Sequence, residues 1–147
     1  MKRILRNSIS SVLVLCMMAS MLSAFATTAQ PGGTRSSAYL DSYMAATTVE
    51  SNGSVTVFVS VDAVVNATKI GARDIYLYES TNGVDFTCVK HFNYLSYPYM
   101  MGSGWHYSRD AVTYNGTAGR YYLANVYVYA ANSTGSDSRL YSTAIAH

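Results

Sequence analysis

Few residues in this 147-residue chain could act as nucleophile, base or ligand. Apart from its many serines, they are His91, His106, His147, Cys16, Cys88 and eight carboxylates. The histidines share no metal-ligand spacing with one another or with Cys88, so no metal site is predicted. A hydrolase needs a nucleophile, a base held by a third group, and oxyanion donors. Ser103-Gly104, His106 and Asp110 supply the residue types, but no nucleophile-elbow motif surrounds the serine. Asp62, Asp74, Glu79, Asp85 and Asp110 are dispersed, which leaves neither a paired-acid site nor a calcium loop. The reading is therefore a non-enzyme with no catalytic, cofactor-binding or metal-binding residues.

Tyrosine is the residue type left to carry chemistry, with fourteen in the chain. Its ring offers contact area at low entropic cost and its hydroxyl offers a hydrogen bond, which suits stacking on sugars or gripping a protein. Tyr76, Tyr78, Tyr127 and Tyr129 form the candidate surface, with Tyr141 flanking it. The competing reading is cross-strand aromatic pairing that stiffens a sheet, each pair contributing about 0.2 to 1 kcal/mol. A second candidate lies in residues 94–107, YLSYPYMMGSGWHY. There Tyr97, Tyr99, Met100 and Met101, with Trp105, could make an adaptable apolar loop, freed by Gly102 and Gly104. Alternatively Tyr94, Tyr97 and Trp105 plug one end of the fold, and for Trp105 burial is favoured.

Both surfaces depend on strands to position them. Residues 120–131, RYYLANVYVYAA, form the longest apolar run without turn residues in the chain that follows the N-terminal leader. Side chains alternate along a strand, so Tyr122, Ala124, Val126, Val128 and Ala130 share one face and are assigned to the core. Tyr121, Leu123, Asn125, Tyr127 and Tyr129 share the other. Residues 55–65 alternate between valines and polar or aromatic residues, as a half-buried strand does. After a loop at 66–72, Ile75 and Leu77 oppose Tyr76 and Tyr78 along residues 73–80. The Thr81-Asn82-Gly83 turn then leads to a partner strand at 86–92, antiparallel to the one before it. Further strands are predicted at 38–50, at 112–114 and at 138–146, with Asn-Gly turns at Asn52 and Asn115. Seven strands at about ten-residue spacing, without helical periodicity, predict an all-β, antiparallel sandwich. Four Asn-x-Ser/Thr triplets, at Asn52, Asn66, Asn115 and Asn132, fall in the predicted loops.

Lys2, Arg3 and Arg6, the apolar run 9–22 and Ala24-Phe25-Ala26 read as a signal peptide over residues 1–26. A flexible lead-in is expected at 27–37 and the sandwich domain at 38–147. Cleavage after Ala26 leaves 121 residues, one domain by length, and predicts a secreted product, extracellular or in the cell envelope. It also removes three of ten basic residues, turning a net +2 into −1. A near-neutral chain lacks the electrostatic footprint of a nucleic-acid binder and the basic stripe for an anionic membrane. No membrane span is expected in the mature chain. Cys16 departs with the leader, and Cys88 reads as a small buried hydrophobe in preference to an intermolecular bridge. A strand-rich export without an internal disulfide fits a bacterial origin.

The pattern Tyr122-x-Ala124-x-Val126-x-Val128-x-Ala130, entered from a glycine-ended loop, resembles the strand before last of fibronectin type III and immunoglobulin-like sandwiches. That resemblance implies that the Tyr122 hydroxyl bonds back to the corner backbone. The immunoglobulin disulfide and its tryptophan are missing. A second resemblance rests on Arg35-Ser36-Ser37-x-Tyr39, Ile70-Gly71-Ala72, Glu79-Ser80-x-Asn82-Gly83, Val112-x-Tyr114-x-Gly116 and Gly119-x-Tyr121-Tyr122. With the leader, these motifs look like small secreted proteins of Gram-positive bacteria known only as a domain of unknown function. That resemblance implies secretion and carries no activity. The expected function is a secreted binding or interaction module using its tyrosine face toward a glycan or a protein. The alternative is a structural or self-associating envelope or matrix protein, and a toxin or enzyme ranks below both.

Overall fold

The computed structural model describes residues 37–147, so the predicted leader and all but the last residue of the lead-in lie outside the described residues. Six strands follow in order: β1 (Leu40–Val49), β2 (Ser54–Ser80), β3 (Thr87–Asn93), β4 (Met101–Asn115), β5 (Tyr121–Asn132) and β6 (Gly135–Ser142). A single 3-10 turn, Pro98–Met100, precedes β4. All pairings between named strands are antiparallel.

The 27-residue β2 organises the fold. Its first half lies between β1 and β4, with Val57 opposite Thr47 on one side and Val112 on the other. Its second half lies between β3 and β5, with Ile75 opposite Phe92 and Val126, and β6 completes that layer beside β5. One hydrogen-bonded sheet thus folds over at β2, and its two halves face each other as the layers of a β-sandwich. The predicted loop at 66–72 proves to be the fold line within a continuous strand. Two of the seven predicted strands are accordingly one element. Register slips between Asp62 and Ala67 and between Ala67 and Ile70 let the chain change layers there without leaving the hydrogen-bond ladder.

Alternation works as predicted. Val55, Val57, Val59 and Val61 are buried from the first layer, and Ile75, Leu77, Ala124, Val126 and Val128 from the second. Burying a valine or leucine side chain contributes about 1.5 to 3 kcal/mol. Two differences arise where several elements meet. β4 starts at Met101, not 112, because Pro98 sits in the 3-10 turn, where a missing N–H costs nothing, and leaves the following residues free to pair. The last strand ends at Ser142, and Ala146 then makes a bridge back to Tyr122.

Gly71 lies at the fold line with φ 143°, and a Cβ there would come within 2.3 Å of the Met100 carbonyl oxygen. Met100 is fully buried and closes this end of the sandwich, together with Tyr107, whose hydroxyl donates to the Tyr99 carbonyl at 3.2 Å. Burial pushes the Tyr107 hydroxyl pKa up to about 12, so it stays a donor. At the opposite end Tyr122 fulfils the corner expectation. Its hydroxyl accepts from the Thr117 N–H at 2.7 Å and donates to Glu79 Oε2 at 2.5 Å. A Cβ on Gly116 would lie 2.5 Å from that hydroxyl, which accounts for the glycine.

Candidate functional site

The outward face of the β3-β2-β5-β6 layer carries the tyrosine surface. Residues directly opposite in a ladder share a face. Asp74 opposes Asn93 and Tyr127, Tyr76 opposes His91 and Asn125, and Tyr78 opposes Cys88 and Leu123. Tyr129 opposes Gly71 and Ser138 near the fold line. Tyr76, Tyr78, Tyr127 and Tyr129 are all half-buried.

At the centre is a compact aromatic cluster. The Tyr76 ring is stacked with His91, centroids 4.2 Å apart and planes 2° apart, and meets Tyr127 edge to face at 6.1 Å. The Arg73 guanidinium lies 5.9 Å from the Tyr127 centroid. Asp74 holds two members of the cluster, Arg73 and His91, together with Asn93. Its carboxylate accepts from Arg73 Nε at 3.0 Å and Asn93 Nδ2 at 2.7 Å, and pairs with His91 Nε2 at 2.9 Å. Partial burial pushes the Asp74 pKa up, but the hydrogen bonds from Asn93, His91 and Arg73 outweigh it and the net shift is downward. A carboxylate whose folded pKa is depressed stabilises the fold above its ordinary value, about 3.9, and loses that contribution as pH falls through the folded value. An Asp74→Ala variant should therefore melt below the wild type at pH 7, with the gap narrowing below about pH 4, as followed by thermal denaturation at both pH values. An unchanged gap would mean that the carboxylate charge is not what anchors the cluster.

The surface differs from the sequence expectation in four respects. Tyr78 and Tyr129 fall on separate rows and do not join the cluster. The bulge between Ala72 and Asp74 offsets β2 against β5, so Tyr76 meets Tyr127 on a diagonal. Tyr141 does not flank the face at all: it opposes Val126 and packs against the core, edge to face with Tyr43 at 6.3 Å. Cys88 is exposed and free, not buried, because the bulge between Leu77 and Tyr78 gives Val89 the partly buried place and turns Cys88 outward beside Tyr78.

The 94–107 segment divides. Met100 is a plug, not a contact residue, and Tyr97 packs partly on the core beside Phe92, centroids 5.2 Å apart. Met101 is half-buried, and Tyr99 is exposed. Trp105, expected inside, is 58% exposed. It lies in β4 between Gly104 and His106, where the register with β2 slips.

Sequence spacing gave no hint of the partners of His106. Its Nδ1 lies 2.6 Å from Asp62 Oδ1, and Ser42 Oγ donates to the other oxygen of that carboxylate at 2.6 Å. The Ser42 and His106 hydrogen bonds lower the Asp62 pKa, against a smaller upward push from burial. Asp110, the acid considered for a triad, instead opposes Phe58 in the ladder. The His91 and Asp74 pair was accessible from sequence, since both belong to the predicted hairpin around residues 81–83. Among the described residues no group of three His, Cys, Asp or Glu side chains could hold a metal ion, and no helix is long and apolar enough to cross a membrane.

No protein-family model matches the chain, and no curated protein is similar to it.

Proposed function

We propose that the protein is a secreted, non-enzymatic binding module whose outward tyrosine face, centred on Tyr76 and Tyr127, takes an extracellular polymer surface, a glycan or a protein. The reading keeps the resemblance to small secreted proteins of Gram-positive bacteria and the release of the chain after Ala26. Its support is the construction of the Tyr76 cluster. The inner face of the same layer is already filled by Ile75, Leu77, Val126 and Val128. The rings of Tyr76, His91 and Tyr127 therefore do not seal a core; they pack on one another, and His91 and the Arg73 side chain beside Tyr127 are in turn fixed by hydrogen bonds to the Asp74 carboxylate. Rings fixed before binding lose little entropy on contact, which is what a recognition surface gains from such anchoring.

The geometry also narrows the mode of contact. His91 already covers one face of Tyr76, and Tyr76 and Tyr127 meet edge to face. The surface thus offers ring edges, phenol hydroxyls, Asn125 and Arg73 to a broad partner, not one open ring to a single sugar. The purified protein is expected to be retained on insoluble cell-wall polysaccharide or on an immobilised extracellular protein fraction. Free passage through both would overturn the proposal.

A further inference from the structure

Outside the tyrosine face, exposed apolar side chains concentrate at the fold-line end. Eight large hydrophobic residues are exposed among the described residues, and four of them lie there: Val64 at 49%, Leu95 at 75%, Tyr99 at 49% and Trp105 at 58%. They come from three parts of the chain. Val64 is in the fold-line segment of β2, held by its N–H to the Tyr39 carbonyl. Leu95 and Tyr99 belong to the connection from β3 to β4, and Trp105 is in β4 between Gly104 and His106, where the register with β2 slips. Hydrogen bonds brace the connection: the Tyr94 N–H donates to the Arg73 carbonyl of β2, the Tyr107 hydroxyl of β4 to the Tyr99 carbonyl, and the Leu95 N–H to Asn93 Oδ1 at the end of β3. The apolar side chains thus stand on a braced support, with Met100 and Tyr107 buried beneath.

We infer that this end docks on the interface of a zwitterionic phospholipid bilayer, inserting Leu95, Tyr99 and Trp105. Two observations favour a lipid surface over another occupant. Trp and Tyr are the side chains that prefer the headgroup level, each having an apolar ring and a polar group, and leucine supplies the part that enters the acyl boundary. The charge also matches. Asp62 is engaged by His106 and Ser42, and Asp74 by Arg73, His91 and Asn93. Asp41, exposed at the start of β1, and Lys69, whose ammonium lies 5.2 Å from the Tyr94 ring, are opposite in sign. A tip with balanced charge suits headgroups of no net charge and needs no basic stripe.

Trp105 is the single tryptophan of the chain, so its fluorescence reports on this surface alone. With phosphatidylcholine vesicles, its emission should shift to the blue and the protein should float with the vesicles, equally in low and high salt. The double substitution Leu95→Ser and Tyr99→Ser, at two exposed positions, should lower partitioning about tenfold or more while the melting temperature stays close to wild type. Absence of both the shift and flotation would overturn the inference. So would binding confined to anionic vesicles and lost in salt, a blue shift that grows with protein concentration without vesicles, or one produced only by soluble polysaccharide. The concentration-dependent outcome would assign the surface to a second copy of the chain, and the last to a glycan.

Discussion

Replacing Gly71 by alanine should leave little folded protein. The position combines a backbone conformation that side chains rarely adopt with a collision against backbone, since the new Cβ would stand 2.3 Å from the Met100 oxygen and 3.2 Å from Met101 Cα. Neither neighbour can step aside cheaply. Gly71 pairs in register with Met101 on one side and Tyr129 on the other, so moving any of them strains a ladder. The Met100 side chain below is fully buried. Backbone strain of about 1 to 3 kcal/mol and overpacking of about 1 to 3 kcal/mol together reach a large fraction of the 5 to 15 kcal/mol that holds a typical domain. Soluble yield and thermal denaturation of Gly71→Ala check this. A variant that folds and melts like the wild type would mean that the change of layers in β2 is not the tightly packed crossing described above.

Tyr122→Phe should be the most costly loss of a single oxygen atom in the molecule. The ring is fully buried and stays in place, but its hydroxyl joins Thr117 N–H on one side to Glu79 on the other. Burial and the Glu79 hydrogen bond both raise the pKa of this phenol, so it remains protonated and able to donate across the neutral range. A hydrogen bond to a charged group contributes about 1.5 to 3 kcal/mol, and the change leaves two partners unsatisfied. A melting temperature lower by about 10 °C is expected from that loss in a domain of this size. A drop of a degree or less would mean that the corner is held by the Tyr122 backbone bonds to Ala146 and not by the hydroxyl.

These two residues also mark what could be read from the chain. Tyr122 was legible because its environment is local: alternation fixes the buried face of β5, and a glycine-ended loop fixes the corner above it. The same local rules located the valine face of β2 and the β2 and β3 hairpin, whereas the pairing of β2 with β5 is non-local and only the structure gives it. Gly71 was not legible as a crossing. Residues 66–72 contain no proline, one glycine and several small residues, which read equally as a loop or as a bulged strand, and only the ladder contributed by β4 and β5 decides between them. Trp105 and Cys88 were misplaced for a related reason. A bulge inserts one residue and reverses the faces of those around it, and the composition of Val89 or Gly104 does not announce it. The Asp62 and His106 pair lay beyond sequence reasoning because its members are 44 residues apart on strands whose register is set by those same slips.

The tyrosine face raises the same question in functional form, since rings that stiffen a sheet and rings that bind a partner have identical sequence signatures. Tyr78 and Tyr127 separate the two uses. Both are half-buried on the outward face, neither belongs to the fully buried core, and only Tyr127 touches the Tyr76 cluster. The direct test is the double substitution Tyr78→Ala with Tyr127→Ala, measured for retention on wall polysaccharide or extracellular protein and for melting temperature in the same preparation. If the face binds, retention is lost while the melting temperature moves by no more than the few degrees that lost cross-strand contacts of about 0.2 to 1 kcal/mol each would produce. Full retention, with a melting temperature that falls much further, would contradict the account and leave the tyrosines as a brace for the sheet.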